Sequence, residues 1–341
     1  MKIALTADPE LPVPPLLYGG IERIVDMLAR GLVAKGHDVT LFAHRDSHSA
    51  GRLIPWPGLR STDIGATLAN AATLARGQFE GQFDIVHSFS RIAYMMPILP
   101  MRVPKLMTYQ RAVTPRTVRL GYQLSRGSLG FTAISAWMIE DVRNIGSWTV
   151  IPNGVPLDTY QFQAEVADDA PLVFLGRVEE IKGPHLAIRI ARESGRRLII
   201  AGNIPDEKQE WVKTHVLSEV DGNRIQYIGP VNDAEKNRLL GGAAALLMPI
   251  LWDEPFGIVM AEAMACGTPV LGLARGAVCE VVDDGITGFV REGVDGLVAA
   301  VDRVPTIARA ACRARVEAHY SDRAVVESYE RLYRARIGLA A

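Results

Sequence analysis

The sequence predicts an α/β protein with two Rossmann-like parallel-sheet domains that face an interdomain cleft. The chain has 341 residues, and at roughly 150 residues per domain this length suggests about two domains. Short apolar runs alternate with segments of helical periodicity before residue 152, and the same alternation returns after residue 170. Apolar strands separated by helices are typical of parallel sheets that are covered on both faces.

The first half of the chain contains strand-like segments separated by helix-like ones. After the first of them, five apolar residues follow the 3.6-residue helical period, namely Ile21, Ile24, Val25, Leu28 and Leu32. The predicted strands are Lys2–Ala7, Val39–Ala43, Ile85–Ser88, Lys105–Tyr109, Phe131–Ile134 and Thr149–Ile151.

The second half repeats this pattern after a segment with the composition of a linker. Residues 152–170 are rich in proline, glycine and aspartate, and they predict a boundary between a domain 1–155 and a domain that begins at residue 170. Ligands of open parallel sheets bind beyond the carboxyl ends of the strands, so the loops after the strands are the places to search for chemistry. The predicted strands are Leu172–Leu175, Leu198–Ala201, Ile225–Ile228, Ala245–Met248 and Pro269–Gly272.

Composition excludes several classes of protein. The net charge of −1 argues against a basic protein that binds nucleic acid. Three cysteines, an odd number, form no disulfide framework and favour the reducing cytoplasm. The sequence has no apolar run of about 20 residues that could span a membrane, and its first residues lack the pattern of a signal peptide.

The stretch 253–270 carries the most informative residues. We expect Pro255 to begin a helix that runs to about Cys266, which would leave the backbone N–H groups of Phe256, Gly257 and Ile258 available to a phosphate. Two glutamates flank this helix start and could contact opposite ends of one ligand, Glu254 just before it and Glu262 about two turns along. The alternative is that both carboxylates are solvated and that Glu254 only favours the helix dipole.

A second stretch, 174–183, joins the first strand of the second domain to the helix Pro184–Glu193. Gly176 would let the backbone approach a ligand, and Arg177 and Lys182 could neutralise a diphosphate. The alternative is ordinary surface charge, but the position after the first strand of a sheet favours the ligand.

The first domain offers weaker signals. Gly19 and Gly20 precede the first helix, within the segment Leu17–Glu22, and would allow close backbone approach. His87 ends a predicted strand, where it could reach a ligand or only hydrogen-bond to neighbouring loops. His44 and His48 have metal-ligand spacing without a third ligand, so no metal is predicted. The sequence lacks the glycine fingerprints of dinucleotide-binding and P-loop proteins.

These motifs, in this order, resemble those of a family 4 retaining glycosyltransferase of GT-B architecture over nearly the whole chain. Glu254 and Glu262 match the E-x7-E motif of the family. Gly176-Arg177 with Lys182-Gly183 matches its diphosphate-binding segment, and residues 18–22 match its N-terminal glycine loop.

The resemblance implies a UDP- or GDP-type sugar as donor substrate, with no cofactor and no metal. A donor-binding domain 170–318 and an acceptor-side domain 1–155 would be followed by residues 319–341, whose helix, about Asp322–Arg336, would pack back on the first domain. The implied catalytic residues are Arg177, Lys182, Glu254 and His87. The implied donor-binding residues are Gly19, Gly20, Gln110, Arg177, Lys182, Glu254, Phe256, Gly257, Ile258 and Glu262.

The family retains the anomeric configuration, yet this sequence shows no convincing nucleophile. We therefore expect a front-face reaction, in which positive groups stabilise the leaving diphosphate and its oxygen accepts the proton of the acceptor.

This chain departs from the family pattern in the first domain. Gln110 stands where many members carry a histidine that contacts the donor sugar, and Phe89 replaces the second histidine of the usual H-x-H after the preceding strand. Two alternatives follow, namely a nucleotide-sugar-binding protein without transferase activity and a sugar-nucleotide epimerase of the same architecture.

The segment between Ile85 and Ile139 has no acidic residue. Its basic residues are Arg91, Arg102, Lys105, Arg111, Arg116, Arg119 and Arg126. This basic segment would bind an anionic acceptor or contact an anionic membrane from the cytoplasmic side, or it is a solvated face. We expect a sugar, lipid-linked or other hydroxyl acceptor and no nucleic acid.

Overall fold

The computed structural model describes residues 1–15 and 19–339, which form two compact units. The first unit comprises Met1–Asn153 together with the chain from Asp322 onward, and the second comprises Gly154–Ser321. Residues 154–170 therefore belong to the second unit rather than to a linker. One reason is that the backbone N–H of Val155 donates to the carbonyl of Tyr320 at 2.8 Å, at the other end of the same unit.

The first unit is a seven-stranded parallel sheet whose strands alternate with helices along the chain. Its strands are β1 (Lys2–Thr6), β2 (Asp38–Ala43), β3 (Arg52–Pro55), β4 (Ile85–Ser88), β5 (Lys105–Tyr109), β6 (Leu129–Ala133) and β7 (Trp148–Val150). Its helices are α1 (Gly20–Ala34), α2 (Ile64–Gly81), α3 (Ile92–Met95), α4 (Pro115–Ser125) and the C-terminal helix (Asp322–Ile337), with 3-10 turns at Met96–Ile98 and Trp137–Ile139. The strand order is β3-β2-β1-β4-β5-β6-β7, and the pairings are parallel.

The second unit repeats this architecture with the strand order β10-β9-β8-β11-β12-β13, again in parallel. Its strands are β8 (Leu172–Leu175), β9 (Leu198–Ala201), β10 (Ile225–Tyr227), β11 (Ala245–Met248), β12 (Val270–Leu273) and β13 (Gly288–Arg291). Its helices are α5 (Pro184–Glu193), α6 (Gln209–His215), α7 (Asp233–Gly241), α8 (Ile258–Ala265), α9 (Val278–Val281), α10 (Val294–Val301) and α11 (Arg309–His319), with 3-10 turns at Glu180–Lys182, Asp206–Lys208, Leu217–Glu219 and Val304–Thr306. Within the described ranges, no helix is both long and apolar enough to cross a bilayer.

The predicted α/β class with two parallel sheets is confirmed, and the predicted strands lie within a few residues of the observed ones. The pattern missed β3 and β13, which lie at the edges of the two sheets. Each has four residues and includes an arginine and a proline or glycine. An edge strand has one neighbour and a partly solvated face, so its own sequence carries a weak apolar signal.

The C-terminal helix packs against α1 within the first unit. Gly31 makes this approach close, because a Cβ atom at that position would lie 2.5 Å from Cγ2 of Val326. Glu330, on the same helix, forms an ion pair with Lys35 at 3.0 Å and a hydrogen bond with Nε2 of His37 at 3.1 Å. Burial raises the pKa of Glu330, but the hydrogen bonds from Lys35, Arg334 and His37 outweigh burial and lower the pKa to about 2.

His87 is a core residue of this unit. Its ring is fully buried; Nδ1 lies 2.5 Å from the Tyr333 hydroxyl and Nε2 lies 2.6 Å from Oγ1 of Thr108. Burial lowers the pKa of the imidazole to about 3. Both ring nitrogens thus have protein partners and the ring is closed off from solvent, so the structure gives no support to the catalytic role of His87, which stays a prediction.

We expect Gly31→Ala to destabilise the first unit by about 1–2 kcal/mol, because overpacking against Val326 outweighs the better helix propensity of alanine. The measurement is thermal unfolding of Gly31→Ala, Val326→Ala and the double variant. The double variant should be more stable than the sum of the single losses predicts, since Val326→Ala makes room for the new methyl group. Strictly additive losses would contradict the close helix contact.

We expect the His87 imidazole to remain neutral in the folded protein at pH 5, because burial lowers its pKa to about 3. The unfolded chain takes up this proton near pH ~6.5, so the stability contributed by neutral His87 is complete above that value and decreases as the pH falls toward about 3. An NMR titration of the ring resonances tests this, with His87→Gln for assignment and exposed His319 as the reference. A His87 midpoint near pH ~6.5 would contradict the buried network.

Candidate functional site

The second unit places its charged loops at the point where the direction of strand addition reverses. Strand β8 lies between β9 and β11, so the loops after β8 and β11 leave the sheet side by side. This reversal is where open parallel sheets bind their ligands. Arg177 and Lys182 follow β8, and Glu254 follows β11, so the topology brings together residues that lie some 70 positions apart in the sequence.

Helix α8 begins at Ile258, three residues later than predicted. Gly257 has a φ of 74°, in the left-handed region, and caps the helix instead of continuing it. A Cβ atom there would also lie 2.8 Å from Cε of Met260. Ile258 is therefore the first helical residue and its N–H belongs to the positive helix end, whereas Phe256 and Gly257 precede the helix.

Lys182 and Glu254 form the central ion pair of the site. Nζ of Lys182 lies 2.6 Å from Oε2 of Glu254, and Nε1 of Trp252 donates to the same oxygen at 3.0 Å. The Lys182 ammonium also lies 4.5 Å from the centre of the Trp252 ring. The resemblance implied that Glu254 contacts the sugar of a donor and that Lys182 contacts its diphosphate. In the structure these two side chains are in direct contact with each other.

Close backbone contacts hold this pair in position. A Cβ atom at Gly183, directly after Lys182, would lie 2.0 Å from the carbonyl of Pro249, and a Cβ atom at Gly276 would lie 2.5 Å from the backbone N and O of Glu254. The Ala277 N–H donates to the carbonyl of Glu254 at 2.9 Å. Larger residues at these two glycines would displace Lys182 or Glu254.

Arg177 pairs with a different carboxylate. Its Nη2 lies 2.8 Å from Oε1 of Glu179, a residue that is 5% exposed. Nε of Arg177 is buried and has no hydrogen-bond partner among the described residues. The guanidinium is thus oriented by one carboxylate and keeps donors for an anionic ligand.

Glu262 lies in the second turn of α8 and is 8% exposed. Two donors converge on its Oε1: the Tyr160 hydroxyl at 2.6 Å and Nζ of Lys236 at 2.6 Å. Sequence reasoning missed Tyr160 and Lys236. Tyr160 lay in the presumed linker and Lys236 in a polar helix, and neither position carries a local signal of a site.

In the first unit, Gly19 caps α1 and Gly20 is its first residue. A Cβ atom at Gly19 would lie 2.8 Å from Oε2 of Glu22, so the turn before α1 has no room for a larger residue there. The approach of a ligand to Gly19 and Gly20 stays a prediction. Leu17 and Tyr18 of this loop lie outside the described residues. Nowhere in 1–15 or 19–339 do three His, Cys, Asp or Glu side chains gather as metal ligands would.

Gln110 follows β5 and forms a reciprocal amide pair with Asn153. Its Nε2 donates to Oδ1 of Asn153 at 2.8 Å, and Nδ2 of Asn153 donates back to Oε1 at 2.9 Å. The pair fixes the orientation of the Gln110 amide, which keeps one N–H and one carbonyl lone pair for another partner.

Comparisons with known proteins agree with this geometry. A family model described as "Glycosyl transferases group 1" matches residues 158–311, and one described as "Glycosyltransferase Family 4" matches residues 18–159. The phosphatidyl-myo-inositol mannosyltransferase of Mycobacterium leprae is 28% identical over 323 residues, which are 84% of this chain and 82% of that protein.

Solved structures show the same fold along the whole chain. The sucrose-phosphate synthase of Thermosynechococcus elongatus has a TM-score of 0.81 at 19% identity and covers 99% of both chains. A structure of Anabaena HepE in complex with UDP and glucose has a TM-score of 0.75 at 18% identity, with 98% of this chain and 100% of that chain covered. Because the two family models together match residues 18–311 and the fold agrees throughout, this chain belongs to glycosyltransferase family 4 and has the GT-B fold.

Proposed function

We propose that this glycosyltransferase moves a sugar from a UDP- or GDP-type donor to a hydroxyl acceptor, with retention of the anomeric configuration. The reaction would serve the assembly of a glycan, glycolipid or polysaccharide. The observation that carries the proposal is the Lys182–Glu254 pair, which lies close in sequence to the first turn of α8 and in the loops at the reversal of the second sheet. The Anabaena fold neighbour, solved with UDP and glucose, supports a nucleotide donor.

The charged residues of this site in the second unit each bind a different part of the donor. Arg177, Lys182 and the first-turn N–H of Ile258 bind the diphosphate, because they offer positive charge and N–H donors. Glu254 accepts hydrogen bonds from hydroxyls of the transferred sugar while it orients Lys182. Glu262 binds the ribose.

The reaction proceeds on one face of the sugar. The bond between the anomeric carbon and the β-phosphate oxygen breaks, the acceptor oxygen bonds to the same carbon, and the acceptor proton passes to the β-phosphate oxygen. Lys182 and Arg177 stabilise the negative charge that develops on that leaving group. Their contribution is charge and position rather than proton transfer, so no side chain needs to act as a nucleophile.

The first unit would bind the acceptor, and Gly19, Gly20 and Gln110 would contact the donor sugar from that unit. Because Gln110 is held by Asn153 and carries no charge, its contact is a neutral hydrogen bond to a sugar hydroxyl. A chain that bound nucleotide-sugars without transferring them would give donor binding without nucleotide release, and an epimerase would act on the donor without an acceptor.

The basic segment of the first unit supports contact with an anionic membrane. On α4, Leu120, Tyr122 and Leu124 are 36–46% exposed, and Arg116 and Arg119 are exposed beside them. Lys105 does not contribute, because it is buried and donates to the carbonyls of Met101 and Val103 at 2.8 and 2.7 Å. The mannosyltransferase relative, which acts on a phosphatidyl-inositol by its name, supports a lipid-linked acceptor.

We expect Lys182→Ala and Arg177→Ala each to lower turnover about 100-fold, because each removes a cation that stabilises the leaving diphosphate. The donor is first identified by thermal shift with a panel of UDP- and GDP-sugars, in which a saturating ligand should raise the unfolding temperature by about 5 °C. Nucleotide release then measures turnover, and NMR of the product gives its anomeric configuration.

Arg192→Ala is the matched control, because Arg192 is an exposed arginine of the same unit that pairs with Glu219. Its turnover should equal that of the wild type. Unchanged turnover in both Lys182→Ala and Arg177→Ala, or an inverted product, would overturn the proposed mechanism.

We expect the protein to co-sediment with anionic vesicles of phosphatidylglycerol and phosphatidylcholine at low salt, and to dissociate as salt screens the charges. Arg116→Glu combined with Arg119→Glu should remove most of this binding. The same change at Arg189 and Arg192 on the second unit is the control. Failure of the wild type to bind at low salt would exclude the membrane contact.

A further inference from the structure

The carboxylate of Glu262 is held from one side only. Both of its donors, the Tyr160 hydroxyl and Nζ of Lys236, contact Oε1 at 2.6 Å. The other oxygen, Oε2, has no hydrogen-bond partner in the part of the chain that the structure describes. Two donors on one oxygen fix the plane of the carboxylate and leave the lone pairs of the second oxygen unused.

Tyr160 is itself firmly placed. Nη1 of Arg313 donates to the carbonyl of Tyr160 at 2.8 Å and to that of Ala265, on α8, at 2.9 Å. The N–H of the next residue, Gln161, donates to Oδ1 of Asn237 on α7 at 2.9 Å. The tyrosine is thus fastened to both of the helices that carry Glu262 and Lys236.

Lys236 supplies the positive charge that pairs with the carboxylate of Glu262. Its ammonium also lies 3.3 Å from Oδ1 of Asp233 and 5.4 Å from the centre of the Tyr160 ring, and its side chain is 13% exposed. The start of α7 is fixed by a capping box between Asn232 and Glu235. The ammonium of Lys236 therefore has a defined position. It offsets the negative charge of Glu262, and both side chains are largely buried.

We propose that Tyr160 and Lys236 are positioning residues that present Oε2 of Glu262 to a ribose hydroxyl, and that they thereby make the site select ribonucleotides over deoxyribonucleotides. The inference rests on the proposed role of Glu262 in donor binding. A ribose hydroxyl donates a charge-assisted hydrogen bond to the carboxylate, whereas a deoxyribose has no such donor and leaves one oxygen of this 8% exposed residue without a protein or ligand partner. A site built to hydrogen-bond a hydroxyl rejects the analogue that lacks it.

The test measures the dissociation constants of UDP, GDP and their 2′-deoxy and 3′-deoxy forms by calorimetry. We expect the wild type to bind the ribonucleotide that fits its base about tenfold or more tightly than at least one of the deoxy forms. Tyr160→Phe removes a single oxygen atom, and Lys236→Met keeps the aliphatic stem. Each variant should weaken ribonucleotide binding about tenfold while leaving deoxyribonucleotide binding nearly unchanged, so the ratio of the two approaches one.

A purely structural role, or a direct contact of Lys236 with phosphate, would weaken both forms equally, and that result would overturn the inference. Equal affinity of the wild type for ribo and deoxy forms would overturn it as well, while the proposed donor site would stand. If neither UDP nor GDP binds the wild type, the inference falls together with the proposed function. Lys213→Met, at an exposed lysine of α6, is the matched control, and Tyr160→Phe decides the question if Lys236→Met does not fold.

Discussion

The second unit depends on the neutralisation of carboxylates that its own fold removes from water. Glu179, Glu254 and Glu262 are each at most 9% exposed. Each has a cationic partner, at 2.8, 2.6 and 2.6 Å respectively. Losing the partner of a buried ion pair costs about 3–5 kcal/mol, because an uncompensated charge stays behind. The loops after β8 and β11 and the helix α7 must therefore keep their places for the unit to be stable.

The same requirement shapes the proposed site for an anionic ligand. Arg177, Lys182 and Lys236 each pair with a carboxylate of the second unit, so the charge of these three cations is offset before a ligand binds. A diphosphate would share the donors of Arg177 and Lys182 with Glu179 and Glu254, and the first turn of α8 would add the backbone N–H groups of a helix start. Glu254 and Glu262 are held in parallel ways. In each case a lysine and an aromatic donor, Trp252 or Tyr160, meet on one oxygen.

In the first unit, the buried polar residues that matter lie in the strands and hydrogen-bond to neighbouring elements, instead of pairing carboxylates with cations. His87, Thr108 and Tyr333 satisfy one another, and Oγ1 of Thr108 also contacts Thr132. Lys105 reaches two carbonyls, and desolvation lowers its pKa to about 8. Buried polar groups of this kind are stable only with partners. The bond of His87 to Tyr333 fixes the C-terminal helix to the sheet, and the bonds of Lys105 hold the turn before β5.

The sequence by itself determined the parallel-sheet class, most strands, the helix Pro184–Glu193, and the motifs that carry Arg177, Lys182, Glu254 and Glu262. These features follow from local sequence patterns, namely apolar runs, helical periodicity and the residues around the helix starts. Only the tertiary structure decided the rest. The edge strands β3 and β13 exist because a neighbour pairs with them, and α8 starts at Ile258 because Gly257 adopts a left-handed conformation. His87 became a core residue, and Tyr160 and Lys236 became partners of Glu262, because such contacts join residues that are 26 to 246 positions apart, which no local pattern encodes.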